Sequence, residues 1–242
     1  MSGCKSTFIA RLQDGIARRA LRFLKRDLVF SNEHFKVLMF HDIDRDGDYS
    51  ASFNDFCKIV NELLLRGYEF VNVDKLIESK SSKALRKKVL ITFDDGFEST
   101  YSIAYPFLKE KGIPFCVFVT TSYVNKPGYI NREQLRILSE DPICSIGSHF
   151  VNHVMSRYVN KKTIINEVTE SFEHLNAWCS LRSRIIALPY GSNYSCSKKD
   201  FRLIYKLGAA CVFTTSPSYV KRIKLSAVPR IDGSKILERE KI

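Results

Sequence analysis

From Lys36 onward, short apolar runs of strand-forming residues alternate with stretches of helical periodicity. No other feature narrows the architectures open to this chain as much. Val37–Phe40, Phe70–Val71, Val89–Phe93, Phe115–Thr120, Cys144–Ser148, Ile185–Leu188, Cys211–Phe213 and Ala227–Ile231 read as strands. Helical patterns fall between them, near Asn54–Arg66, from Asp74, and over Ser99–Lys111, Arg132–Ser139, Lys162–Cys179 and Lys198–Leu207. Strands alternating with helices imply parallel pairing and right-handed crossovers. Seven or eight such units in 242 residues favour an α/β barrel over an open sheet. No repeat, low-complexity tract or linker calls for a second domain within residues 36–242.

A barrel collects its chemistry at the C-terminal ends of its strands. In chain order those ends carry His41-Asp42, Asp94-Asp95, Thr120-Thr121, Ser148-His149, Pro189-Tyr190, Thr214-Thr215 and Arg230. Asp94 and Asp95 put two like charges at the end of a buried strand, which is unfavourable unless a cation compensates them. A metal ion would hold one carboxylate ionised and leave the other for proton transfer. Read more plainly, Asp94-Asp95-Gly96 is a strand-to-helix turn with an aspartate cap. The second informative stretch is Ser148-His149-Phe150-Val151-Asn152-His153, which holds two of the five histidines of the chain. Histidines four apart point the same way if a helical turn follows the strand. Two histidines and one carboxylate leave coordination positions open, as a catalytic rather than a structural metal site requires. Metal-assisted hydrolysis and a non-haem iron oxygenase both use such a set. The second carboxylate favours hydrolysis, because it offers a base beside a metal-bound water.

Residues 1–35 stand apart. Ile9, Leu12, Ile16, Ala20 and Phe23 recur at helical spacing with Arg11, Arg18, Arg19, Arg22 and Lys25 between them, giving a basic amphipathic helix. Such a helix either lies on an anionic membrane surface or packs its apolar face on the domain, and packing is the commoner use. The whole chain carries a net charge of +12, which suits a polyanion or an anionic membrane. Nucleic acid is not expected, since no zinc finger, helix-turn-helix or stacking motif accompanies the charge. Seven scattered cysteines without CxxC spacing argue for a reducing compartment. With no apolar stretch long enough to span a bilayer and no apolar signal core, the expected location is cytoplasmic, including the inner face of the membrane. Asp42-Ile43-Asp44-Arg45-Asp46-Gly47 imitates a calcium loop, but its twelfth position is Phe53 rather than a bidentate glutamate.

Thr92-Phe93-Asp94-Asp95-Gly96, followed by His149-Phe150-Val151-Asn152-His153 and then Leu188-Pro189-Tyr190-Gly191, resembles the pattern of the polysaccharide deacetylases, the NodB-homology or carbohydrate esterase 4 family. The resemblance runs from about Lys36 to Asp232. It implies a distorted (β/α)7-8 barrel over 36–242 and metal-dependent removal of acyl groups from sugars. By matching position it implies that Asp94 is the general base and Asp95 the metal carboxylate. His149 and His153 become the metal histidines, and the Tyr190 N–H helps hold the oxyanion. Zinc is the preferred ion, with Co2+, Ni2+ and Fe2+ as alternatives.

Three departures stand out. Phe150 occupies a position usually Ser or Thr, which removes a loop hydrogen bond. Ala187 stands where the family places an arginine beside the base. The late Leu-x-His motif that supplies the general acid is absent. Met39-Phe40-His41-Asp42, however, resembles the N-terminal Tyr-His-Asp element of the biofilm-exopolysaccharide deacetylase branch, which implies that His41 is the acid. Arg230, after Pro229, is a candidate partner for Asp94 or for an anionic substrate group. The expected activity is deacetylation, at nitrogen or oxygen, of a saccharide or lipid-linked sugar in surface-polysaccharide metabolism. The alternatives are deformylation of a lipid-linked amino sugar and a catalytically degenerate glycan-binding member.

Overall fold

In the computed structural model, which describes residues 29–30, 33–44, 50–220, 222–234 and 236, all strand pairs are parallel. The basic helix expected over residues 1–35 lies outside the described residues, apart from 29–30 and 33–35. The strands are β1 (Lys36–Phe40), β2 (Asp42–Ile43), β3 (Ser50–Ala51), β4 (Glu69–Phe70), β5 (Lys88–Phe93), β6 (Phe115–Val119), β7 (Cys144–Ser148), β8 (Ile185–Ala187), β9 (Cys211–Phe213) and β10 (Ile231–Asp232). The helices between them are α1 (Phe53–Leu65), α2 (Val73–Glu78), α3 (Tyr105–Glu110), α4 (Arg132–Glu140), α5 (Lys161–Trp178) and α6 (Lys198–Lys206). The main sheet runs β10-β1-β5-β6-β7-β8-β9, with β4 beside the start of β5 and β2-β3 as a separate pair. It curls until the last segment of chain bridges its two ends. Val228 pairs with Phe213 of β9, and Ile231 pairs with Leu38 of β1. This is the expected distorted (β/α) barrel.

Local signals set the element ends. Ser52 caps α1 by accepting from the Asp55 N–H, and Gly67 at φ +74 ends it in the left-handed region. Asn131 with Gln134, and Ser197 with Asp200, form capping boxes on α4 and α6. Two expected boundaries move. The helix expected over Ser99–Lys111 begins as a wide π-helical turn over Thr100–Ala104, in which the Tyr105 N–H donates to the Thr100 carbonyl. Pro106 has no N–H to continue a regular ladder, so the wider turn precedes it. The last strand, expected over Ala227–Ile231, is confined to Ile231–Asp232 because Val228 turns to β9 instead.

Strands buried on both faces explain the near-continuous apolar runs. Leu38, Phe40, Ile91, Phe93, Phe115 and Val117 face α1 and α3, while Val37, Leu90, Cys116, Phe118, Ile185 and Phe213 fill the barrel. Phe40, Phe56 and Phe93 meet with ring centroids 5.0–5.8 Å apart. Each such phenylalanine contributes about 1.5–3 kcal/mol by burial. The six described cysteines form no disulfide, and no described helix is long and apolar enough to cross a membrane.

Gly147 on β7 shows how tight the barrel interior is. A Cβ there would lie 2.7 Å from both Ile185 and Phe118 side chains. Gly147→Ala is expected to cost about 1–3 kcal/mol through overpacking, read as a lower urea midpoint at unchanged slope.

Candidate active site

The C-terminal rim of the barrel is built on strained backbone. Among the described residues, four of the seven non-glycine residues at positive φ sit here: Asp95 (+69), Phe150 (+68), His153 (+57) and Tyr190 (+60). Each costs about 1–3 kcal/mol and persists only where its surroundings over-determine it. Asp94 continues from β5, and its N–H donates to the Phe40 carbonyl of β1. The reversal at Asp95 then turns the second carboxylate toward β6 and β7.

Asp95, His149 and His153 converge there. The Asp95 Oδ1 lies 3.6 Å from His149 Nε2 and 3.3 Å from His153 Nε2. All three ligand-capable atoms lie within 4.8 Å of one another. Donor atoms on a tetrahedral zinc stand about 3.3–3.4 Å apart, as bonds of about 2.0–2.1 Å require. The donor set therefore fits a divalent metal. The Ala187 carbonyl lies 2.8 Å from His149 Nδ1, which fixes the tautomer that offers Nε2 to an ion. Position 187, where the resemblance looked for an arginine, instead supplies a backbone oxygen to a candidate metal histidine.

The electrostatics agree. Burial, and then the charge of Asp94, pushes the Asp95 carboxyl up to about 6. Burial pushes His149 down to about 3 and lowers His153, so both imidazoles are neutral, as ligation requires.

Asp94 is held differently. It is buried, which alone would raise its pKa, but the Arg230 guanidinium reverses this and holds it at about 2. Arg230 Nη1 donates to Asp94 Oδ1 at 2.6 Å and Nη2 to Oδ2 at 2.7 Å. Two further donors reach the Thr214 carbonyl (Nε, 3.1 Å) and Thr92 Oγ1 (Nη1, 3.2 Å), and the Thr92 hydroxyl donates to the Leu38 carbonyl. Asp94 Oδ2 stands 3.9 Å from His149 Nε2, beside the three candidate ligands.

The histidine loop departs from expectation. No helical turn follows β7. The left-handed Phe150 and His153 curl residues 149–153 back over Asp95 instead. The hydrogen bond expected to be lost at Phe150 is replaced from α5. The Glu167 carboxylate accepts from the Val151 and Asn152 N–H groups and from Asn152 Nδ2, each at 2.8 Å. Ser148 Oγ accepts from the Phe150 N–H and pairs with Ser171. Phe150 is fully buried against α5 and α6. Sequence reasoning missed Glu167, yet it left a signal, a carboxylate on the apolar face of α5 between Ile164, Val168 and Phe172.

His41 follows β1 on the same rim, close enough that a positive charge on it would favour the ionised forms of Asp94 and Asp95. The Tyr190 N–H donates to no protein acceptor among the described residues, while its carbonyl accepts from the Thr215 hydroxyl at 2.6 Å. The Tyr190 ring stands 4.7 Å from that of His153, and Tyr123 and Tyr129 pack with tilted rings beside the site. The apparent calcium loop is not assembled among the described residues. Asp42 accepts from the Ile43 N–H and the Ser99 hydroxyl, and residues 45–49 lie outside them.

A polysaccharide deacetylase family model matches residues 81–208, more than half of the chain. YxkH of Bacillus subtilis, itself named for that family, is 26% identical over 188 residues, which are 77% of this chain and 66% of that protein. The poly-beta-1,6-N-acetyl-D-glucosamine N-deacetylase of Staphylococcus aureus is 27% identical over 158 residues, 60% of this chain and 54% of that protein. The chain thus spans about two thirds of one relative and about half of the other. Among solved structures, IcaB from Ammonifex degensii superposes with a TM-score of 0.71 at 24% identity, covering 83% of this chain and 91% of that one. A de-N-acetylase from Aggregatibacter actinomycetemcomitans gives 0.70 at 19%, covering 83% and 95%. Both share the fold.

Two outcomes follow from the geometry. Because Asp95 must lose its proton to ligate, Zn2+ affinity is expected to be flat above about pH 6 and to fall about tenfold per unit below it, with proton release. Calorimetric titration of chelator-treated protein at pH 7 and pH 5, in buffers of different ionisation heat, measures this. Equal affinity at both would contradict it. Arg230→Met, which strands the buried Asp94 charge, is expected to cost about 3–5 kcal/mol in urea denaturation. Arg230→Met with Asp94→Leu should recover part of that loss. The stability due to the depressed Asp94 pKa is present above the unfolded value of 3.8 and lost as pH falls through about 2.

Proposed function

The chain belongs to the polysaccharide deacetylase family, and from that premise we propose that it is a metal-dependent hydrolase removing the N-acetyl group of an amino-sugar polymer. The observation that carries this is the division of labour between adjacent carboxylates. Arg230 keeps Asp94 ionised, whereas Asp95 is disfavoured as an anion and faces two neutral imidazoles. Such a pair suits one carboxylate to protons and the other to a cation. The named activity of the staphylococcal relative supports a poly-N-acetylglucosamine-like substrate. The tyrosines around His153 suit the apolar face of a sugar ring.

Asp95 Oδ1, His149 Nε2 and His153 Nε2 would hold the ion. When bound, a zinc-like ion supplies polarisation of the acyl carbonyl and a water of lowered pKa. Asp94 Oδ2, beside these ligands, takes the proton of the attacking water, and Arg230 keeps the carboxylate in register as it does so. The Tyr190 N–H, held toward the site by its left-handed backbone, donates to the developing oxyanion. His41, across the same carboxylates, gives a proton to the departing amine nitrogen. Glu167 keeps the loop that carries His153 in place. With Asp94 at about 2, the base stays ionised at any working pH, so a loss of activity on acidification would follow loss of the ion rather than protonation of the base.

The presence of Arg230 where a base needs its partner supports catalysis over a degenerate glycan-binding role. A lipid-linked sugar at an anionic membrane surface is a narrower form of the same proposal, supported by the net charge of +12.

Acetate release from oligomers of β-1,6-linked N-acetylglucosamine tests the mechanism. Asp94→Asn is expected to lose about 10²–10⁴-fold in kcat with metal content unchanged. His41→Ala should bind metal normally and lose kcat rather than KM. Full acetate release by Asp94→Asn, or no effect of chelators on the wild type, would overturn the proposal.

A further inference from the structure

Helix N-termini in this barrel follow strand C-terminal ends, so the first turns of α5 and α6 lie on the same rim as the site, but outside it. Between them opens a groove of about 610 Å³. Ile164 and Leu203 line its apolar part. Arg157, Lys161, Lys199, Arg202 and Lys206 surround it, all exposed. None of the five makes an ion pair among the described residues. The one carboxylate lining the groove, Asp200, is already engaged. Its Oδ2 accepts from the Ser197 N–H at 2.7 Å and the Ser156 hydroxyl at 3.2 Å.

The placement of two of these cations runs against the helices that carry them. Lys161 is the first residue of α5 and Lys199 the second of α6, at the positive ends of helices of 18 and 9 residues. A cation there is unfavourable, because the exposed N–H groups of the first turn already favour an anion. The first turn of α5 has no acidic residue to offset it, whereas that of α6 holds Asp200, so the uncompensated cation is Lys161. Local choices that oppose the structure without internal compensation mark functional positions. Two helix N-termini, the Arg202 fork and three lysines around one groove offer the donors that a phosphate takes, with Arg157 adding its charge and its Nη1 while its Nη2 donates to the Asn193 and Cys196 carbonyls. The groove also has room beside them for the body that carries it.

We propose that this groove binds a phosphate-bearing ligand and holds it beside the catalytic rim. The phosphate comes either from the headgroup of an anionic lipid or from a soluble phosphorylated molecule, and the two sources are separable. Inorganic pyrophosphate is titrated calorimetrically into the full-length protein. In parallel, co-sedimentation is measured with vesicles of phosphatidylglycerol and of phosphatidylcholine. The same is done for Lys199→Glu/Arg202→Glu and for the milder Lys199→Gln/Arg202→Gln, with melting curves to establish folding.

Wild type is expected to bind pyrophosphate saturably, with affinity falling as salt rises. The charge-reversed variant should bind at least tenfold more weakly and the glutamine variant to an intermediate degree. Phosphatidylglycerol-selective sedimentation that the variants lose and pyrophosphate competes away assigns the phosphate to lipid. Pyrophosphate binding without it assigns a soluble ligand. Absence of saturable pyrophosphate binding, or equal binding by wild type and both variants, overturns the site. These readouts need neither metal nor acetylated substrate, so their outcome is independent of the deacetylase proposal. Acetate release from soluble oligomers should be unchanged in both variants.

Discussion

A guanidinium forked onto a carboxylate in a barrel interior is stable only when nearly every donor and acceptor finds a partner, because both ions have left water. Arg230 and Asp94 meet that condition. The fork is bidentate, and two more arginine donors end on the Thr214 carbonyl and the Thr92 hydroxyl. Arg230 belongs to the segment that bridges β9 and β1, and Asp94 to the end of β5, so the pair ties barrel closure to the candidate base. The same contact makes Asp94 an anion at any working pH. It thereby deepens the electrostatic difficulty of Asp95 next door.

That difficulty is organised rather than relieved within the protein. Asp95, Phe150, His153 and Tyr190 all take left-handed backbone, and each is held by contacts outside itself. Glu167 and Ser148 anchor the histidine loop, the Ala187 carbonyl orients His149, and Thr215 grips the Tyr190 carbonyl. The strain and the uncompensated charge converge on the few cubic ångströms where the donor spacing fits a divalent ion. Elsewhere on the rim, the cations around α5 and α6 present the complementary case, positive charge placed where the helix ends already favour an anion.

The departures from the family pattern take on different meanings in three dimensions. Phe150 costs the loop nothing, because α5 supplies the hydrogen bonds and receives the ring. Ala187 does not leave Asp94 unpositioned, because the guanidinium arrives from position 230, more than forty residues later. Neither substitution could be weighed along the chain, since Glu167 lies 16 positions from the Val151 N–H it serves and Arg230 lies 136 from Asp94. Glu167 was visible only as an odd charge on an apolar helix face, with nothing to say which backbone it served.

The strand–helix alternation determined the barrel, because runs buried on both faces separated by helices have few ways to close. The order of Asp94-Asp95, His149-His153 and Tyr190 along those strands determined which side chains would share a rim, and by resemblance which family they served. Tertiary structure decided how they meet. The histidines converge through two left-handed residues instead of a helical turn. The arginine that holds Asp94 came from the closing segment, and a neutral carbonyl took the place expected for a charge. These choices depend on contacts between strands far apart in the chain, and local pattern carries no record of which strand end will face which.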